Sequence, residues 1–101
     1  MEVTTHYRGD VGTIQLRGRF DFSGHREFLE AISAVTSTSS VKEIEINFAA
    51  VNYIDSAALG MLLVSRDKAT RAGKHIVLTQ ATGSVKEVLD IENFGKIFSC
   101  R

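Results

Sequence analysis

The feature that most constrains this chain is the alternation of strand-like and helix-like hydrophobic patterns along its length. Apolar or small residues recur at every second position in three segments, a period typical of half-buried strands. These segments are residues 3–7, 12–16 and 44–48. Gly9-Asp10 separates the first two and predicts a hairpin turn between them. The chain therefore begins with two antiparallel strands.

Helical spacing of apolar residues marks two longer segments, residues 26–35 and 56–72, and Gly73 predicts the end of the second one. His75–Thr79 is short and apolar, which is expected of a central strand covered on both faces. Ser84–Glu87 has the pattern of a capping box and predicts a third, short helix. A final short strand is an option near residues 96–99.

The predicted order of elements is β-β-α-β-α-β-α, with the optional last strand. Strands joined through a helix form right-handed crossovers and pair in parallel, whereas the hairpin is antiparallel. The order therefore indicates the α/β class, with a small mixed sheet of four to five strands and helices packed against it. A length of 101 residues with 44% hydrophobic composition fits a single domain over residues 1–101.

The charge balance and the cysteine count exclude several classes of function. Twelve Lys and Arg side chains are balanced by twelve Asp and Glu, so no strong positive field favours binding to nucleic acid or to a membrane surface. Cys100 is the only cysteine, which argues against a disulfide framework and fits a cytoplasmic protein. The three histidines lack paired ligand spacing, so we expect no metal, and no glycine loop suggests a bound cofactor.

The most informative segment is residues 51–63, VNYIDSAALGMLL, in which Asp55-Ser56 precedes the second predicted helix. With the flanking segments Gly18–Phe22 and Gly73–Leu78, it resembles the STAS domain family over nearly the whole chain. The family signature is a strand, a short loop ending in an apolar residue, and then Asp-Ser-Ser-Gly-Leu-Gly opening a helix. By its residues alone, an Asp-Ser pair at a helix start is sufficiently explained as a cap for unpaired N–H groups, and only the resemblance points to a further role.

Within this family the sequence is most similar to bacterial anti-sigma factor antagonists, which bind partner proteins and are not enzymes. The resemblance implies that Ser56 is the phosphorylated residue and that the unmodified protein binds an anti-sigma factor or a serine switch kinase. It also implies a metal-dependent serine phosphatase that restores the unmodified state, and a weak homodimer is left open. The residues expected to contact the partner are Asp55, Ser56, Ala57, Tyr53, Met61 and Asp21.

Two departures from the family pattern affect these expectations. Ala57 and Ala58 replace the usual Ser and Gly, which leaves Ser56 as the only hydroxyl of the motif. Asn47 stands where relatives often have Asp at the end of a strand, so a role of that carboxylate does not transfer.

Two other functions compete with the phosphoswitch. A hydrolase would use Ser56 as nucleophile with His25 or His75 as base, but the chain lacks Gly-x-Ser-x-Gly and an orienting group for either histidine. We therefore expect no enzymatic activity. The second alternative is an accessory subunit of a lipid-transport ATPase, because STAS domains also serve in that role and fold similarity does not fix function.

Overall fold

A computed structural model describes residues 1–101 and contains five strands and three α-helices. The elements, in chain order, are β1 (Glu2–Arg8), β2 (Val11–Phe20), α1 (His25–Thr36), β3 (Glu43–Ile54), α2 (Ser56–Arg71), β4 (His75–Thr79), α3 (Gly83–Ile91) and β5 (Ser99–Cys100). Short 3₁₀ turns cover Phe22–Gly24 and Phe94–Lys96. None of the helices has the length and apolarity that crossing a bilayer requires.

The five strands form one mixed sheet in the order β1-β2-β3-β4-β5. β1 and β2 pair antiparallel through the predicted hairpin, and all other neighbours are parallel. This confirms the α/β class and the mixed sheet. β4 is an interior strand, as predicted, but the middle of the sheet is β3. The last strand lies slightly later than expected because the chain first makes the turn at Phe94–Lys96.

All three helices pack on the same face of the sheet. Phe28 of α1, Leu62 of α2 and Leu89 of α3 belong to one hydrophobic cluster with Ile14 and Ile46 of the sheet. Because successive strand residues point to opposite faces, the residues between these apolar positions lie on the other, helix-free face. The core is therefore one layer between the sheet and its helices.

The helix-free face is mostly polar and internally hydrogen-bonded, although Val77 of β4 is fully buried on it. Glu45 accepts hydrogen bonds from the hydroxyls of Thr13 at 3.1 Å and Thr79 at 2.6 Å. Glu43 lies 3.1 Å from the His75 ring and 3.2 Å from the Arg101 guanidinium. Although partial desolvation opposes it, hydrogen bonding to Arg101 and His75 lowers the pKa of the Glu43 carboxyl. These contacts tie β2, β3, β4 and the segment after β5 together across the sheet.

Lys74, just before β4, is a buried charged residue with a structural role. Its ammonium donates hydrogen bonds to the backbone carbonyl of Thr38 at 2.6 Å and to that of Val41 at 2.8 Å. Both acceptors lie in the connection between α1 and β3, so Lys74 fixes this connection to the start of β4.

The predicted capping box at Ser84–Glu87 is wrong. The helix already begins at Gly83, and Thr82 is the N-cap residue but makes no side-chain capping hydrogen bond. Ser84 therefore lies inside the first turn, where it cannot act as the cap. The predicted apolar face is nevertheless present, since Val85 and Leu89 are buried.

Candidate functional site

Two acidic residues follow the carboxyl ends of the neighbouring parallel strands β2 and β3. Phe20 pairs with Ile54 in the last register position, so Asp21 and Asp55 leave the sheet at the same end. β3 continues as a strand through Ile54, where the family pattern predicts a short loop. Two register shifts between β2 and β3 make this end irregular. The carboxyl edge of a parallel sheet is a common place for functional groups, because the chain leaves each strand there.

Asp55 is the N-cap of α2. Its side chain accepts a hydrogen bond from the backbone N–H of Ala58 at 2.9 Å, and its own N–H donates to the carbonyl of Phe20 at 3.4 Å. The first bond satisfies one of the donors that a helix start leaves unpaired. The second ties the start of α2 to the end of β2. The structure therefore confirms that Asp55 caps the start of α2.

Ser56 is the first residue of α2 and is exposed. Its hydroxyl makes no hydrogen bond to another side chain or to the backbone, unlike the Asp55 carboxylate beside it. This residue is therefore open to solvent while the helix is folded. A phosphate here would also lie at the positive end of the helix dipole, where negative charge is tolerated.

Asp21 and Tyr53 are linked through Arg19, a residue that the sequence analysis did not identify. The Arg19 guanidinium lies 3.9 Å from the centroid of the Tyr53 ring, and its Nε lies 3.5 Å from the Asp21 carboxylate. Hydrogen bonding from the Ser23 hydroxyl, together with its backbone N–H and Arg19, lowers the pKa of Asp21. Arg19 therefore lies between the Asp21 carboxylate and the partly exposed Tyr53 ring.

Met61 was predicted as an exposed contact residue, and this is wrong: it is 5% exposed and belongs to the core cluster. At about 100° per residue, Met61 is rotated by about 140° from Ser56 around α2. Gly60 and Leu63 lie within about 40° of Ser56 and are exposed, with Leu63 at 45%. Leu63 is therefore the large exposed apolar side chain nearest to the Ser56 face of α2. Ala57 is half-buried at the border between this face and the interior.

Phe22 is a second exposed apolar side chain missed by sequence reasoning. It is 66% exposed directly after Asp21, and its ring stacks on that of His25 at 5.1 Å. Aromatic side chains are enriched at protein interfaces, and Phe22 lies at the same end of the sheet as Asp21. Its position directly after Asp21, a predicted contact residue, could have identified Phe22 from the sequence.

The structure does not bring the candidate catalytic groups together. His25 contacts Phe22, and His75 pairs with Glu43 on the helix-free face, so neither histidine hydrogen-bonds Ser56. No group of three or more potential metal-ligating side chains is present. The geometry around Ser56 is that of an exposed helix start bordered by aromatic and aliphatic side chains.

Comparison of the sequence with protein families gives a match to the model described as "Mlab, STAS domain" over residues 3–98. The chain is also 40% identical over 90 residues to a STAS-domain-containing protein of Pseudomonas aeruginosa strain UCBPP-PA14. That alignment covers 89% of this chain and 87% of the relative.

Solved structures share the fold at low sequence identity. An anti-sigma factor antagonist from Mycobacterium paratuberculosis superimposes with a TM-score of 0.85 at 19% identity, over 98% of this chain and 83% of that one. The Bacillus cell fate determinant SpoIIAA in its phosphorylated form gives a TM-score of 0.74 at 17% identity, over 99% and 91% of the two chains. These likenesses extend over almost the whole chain and confirm its fold.

Proposed function

The chain belongs to the STAS domain family, and from that premise we propose that it is a cytoplasmic phosphoswitch of the anti-sigma factor antagonist type. In this proposal the protein binds an anti-sigma factor or a serine switch kinase while Ser56 is unmodified, and it releases that partner once Ser56 is phosphorylated. A metal-dependent serine phosphatase restores the binding form. The protein acts by binding and not by catalysis.

The observation that carries the proposal is the exposed, unbonded hydroxyl of Ser56 at the first position of α2. The neighbouring Asp55 holds the helix start, so Ser56 is free for modification. SpoIIAA has a phosphorylated form with the same fold, which supports the idea that this architecture accepts a phosphate.

The surface around Ser56 has the composition of a protein-binding site. Exposed Leu63 lies on the same face of α2, and exposed Tyr53 is the second-last residue of the preceding strand. Apolar and aromatic groups of this kind form the centre of interfaces, with charged groups such as Arg19 and Asp21 at the rim.

Phosphorylation of Ser56 would act through charge on such a surface. A phosphoryl group adds about 1.5 to 2 negative charges, and a partner closed over it would bury an anion without a counter-charge. The expected cost is about 2–5 kcal/mol, which is about 30-fold to several thousand-fold in affinity. That change is large enough to switch a complex on and off.

The test uses Ser56→Ala and Ser56→Asp as bait proteins in extracts of the organism's own cells. We expect Ser56→Ala to retain the partner and Ser56→Asp to lose it, with identical circular dichroism spectra. Ser84→Asp is the matched control, because Ser84 is also exposed in the first turn of a helix and carries the same added charge. Equal recovery of the partner by both Ser56 variants would refute the switch.

A second candidate function is an accessory subunit of a lipid-transport ATPase. It is favoured by Ala57 and Ala58, which depart from the Ser-Gly of the anti-sigma antagonist motif and make the fit to a switch kinase less secure. Intact-mass and phosphosite analysis of the protein from its own cells separates the two functions. The switch requires a phosphorylated fraction at Ser56, whereas the accessory role requires copurification of the ATPase with unmodified protein.

A further inference from the structure

The outer edge of β1 is a long strand edge that pairs with no other strand of the chain. β1 pairs only with β2, and it runs for seven residues, whereas the opposite edge strand β5 has two. Strand edges are usually protected by charged side chains, above all lysine, or by proline, a bulge or shortness, and β1 carries its charges only at its two ends, on Glu2 and Arg8. β1 contains no lysine or proline, and its register with β2 is continuous from Glu2 to Arg8.

The hairpin determines which backbone groups of β1 point outward. Gly9-Asp10 is a two-residue turn with Gly9 at φ +60°, which fits a type II′ turn with glycine in the first central position. In such a hairpin the closing pair, Arg8 and Val11, exchanges backbone hydrogen bonds. Because hydrogen-bonded and non-bonded pairs alternate, the even-numbered residues of β1 face β2. The N–H and C=O groups of Val3, Thr5 and Tyr7 therefore face outward.

The sequence of β1 is self-complementary when two copies pair antiparallel about Thr5. Thr5 then faces Thr5 of the second copy, and Val3 faces Tyr7 of the second copy, so all outward-facing backbone groups can pair. On the helix-free face Glu2 comes opposite Arg8 of the second copy, and the twofold axis repeats this ion pair. A shift by two residues in either direction removes both ion pairs, so one register is preferred.

We infer that two copies of this chain associate through β1, in antiparallel register centred on Thr5, to form a ten-stranded continuous sheet. This inference is independent of the proposed phosphoswitch, because it uses the edge of the sheet and not the surface at Ser56. β1 lies two strands away from β3, which leads into α2, so both Ser56 sites stay accessible in the dimer.

Side-chain exposure agrees with an unoccupied contact surface along β1. Tyr7 is 51% exposed, and Glu2, Thr4, His6 and Arg8 are exposed as well. The pairs of this register are favourable, because Val3 is a β-branched residue facing the aromatic Tyr7 and Glu2 faces the oppositely charged Arg8.

The test is sedimentation equilibrium of the full chain over a range of concentrations up to about 1 mM, the limit of weak association. We expect a concentration-dependent dimer for the natural chain. Arg8→Glu alone places a glutamate opposite Glu2 of the other copy at both ends of the interface. Glu2→Arg alone likewise places an arginine opposite Arg8 at both ends. Each should weaken dimerisation by about tenfold or more.

The decisive sample is an equimolar mixture of the Arg8→Glu and Glu2→Arg proteins. In the mixed dimer both charge pairs are again opposite, so association should return to about that of the natural chain. Lys96→Glu is the matched control, since it makes the same charge change as Arg8→Glu at an exposed residue away from β1 and should leave the dimer unchanged.

Thr5→Pro gives an independent measurement. It removes an outward-facing N–H that has no partner within the chain, so the hairpin should fold and the dimer should be lost. The inference is overturned if the natural chain stays monomeric up to about 1 mM, if the charge variants dimerise as well as the natural chain, or if mixing them restores nothing. Unfolding midpoints of each charge variant verify that the monomer is intact.

Discussion

Replacing Asp55 by alanine or asparagine separates the structural role of this residue from its charge. In the folded chain its carboxylate accepts one hydrogen bond, from the N–H of Ala58 at 2.9 Å. Ala58 is 0% exposed, so water cannot replace the lost acceptor. Removing an N-cap costs about 0.5–2 kcal/mol, and the burial of this N–H favours the upper half of that range.

We therefore expect Asp55→Ala to lower the free energy of unfolding by about 1–2 kcal/mol, which is about 4–16 °C in the unfolding midpoint for a domain of this size. Asp55→Asn keeps a side-chain carbonyl in the same place and should lose only a few tenths of a kcal/mol. Urea and thermal unfolding followed by circular dichroism measure both values.

Two results would contradict this reasoning. An Asp55→Ala protein as stable as the natural chain would mean that the hydrogen bond to Ala58 does not hold the helix start. An equal loss in Asp55→Asn would mean that the stabilising element is the negative charge near the helix N-terminus and not the geometry of the cap. If Asp55→Asn is stable, any change in partner binding by that variant reports on charge alone.

Three further predictions concern other parts of the molecule. Lys74→Met should lower the free energy of unfolding by about 2–4 kcal/mol, since it removes two charged hydrogen bonds, whereas the exposed Lys96→Met should change little in the same urea titration. The pKa of Glu43 is lowered in the folded chain from 4.5, its value in the unfolded chain. The ionised carboxylate therefore stabilises the fold fully above pH 4.5, and this contribution is lost as the pH falls through the pKa of the folded chain. Glu43→Gln should remove this part of the acid-side loss of stability. Leu63→Asp should leave the unfolding midpoint nearly unchanged but weaken partner capture, whereas Met61→Ala should destabilise the fold by about 2–5 kcal/mol.

The parts of the fold that could be predicted are those set by neighbouring residues. Gly9-Asp10 dictates the hairpin because a tight turn depends on two positions. The start of α2 at Ser56 follows from the capping chemistry of Asp55, which acts within one helical turn.

The parts that could not be predicted depend on which elements meet. α2 carries apolar residues on several sides, including both Met61 and Leu63, and only packing against the sheet and α1 decides that Met61 is buried. The contact of Arg19 with Tyr53 requires the register between β2 and β3, which two irregularities shift. Neither feature is encoded in a local pattern.

The arrangement at the start of α2 also bears on how the proposed switch would work. Asp55 bonds toward the helix and Ala58 is buried beneath it, whereas Ser56 between them is exposed. The residues that hold the helix are thus distinct from the hydroxyl that would be modified. A phosphate on Ser56 would remove none of the hydrogen bonds of the cap, so the free domain has no reason to change conformation. Release of the partner must then come from the electrostatics and sterics of the docked surface itself, and the modified and unmodified chains should unfold at nearly the same temperature.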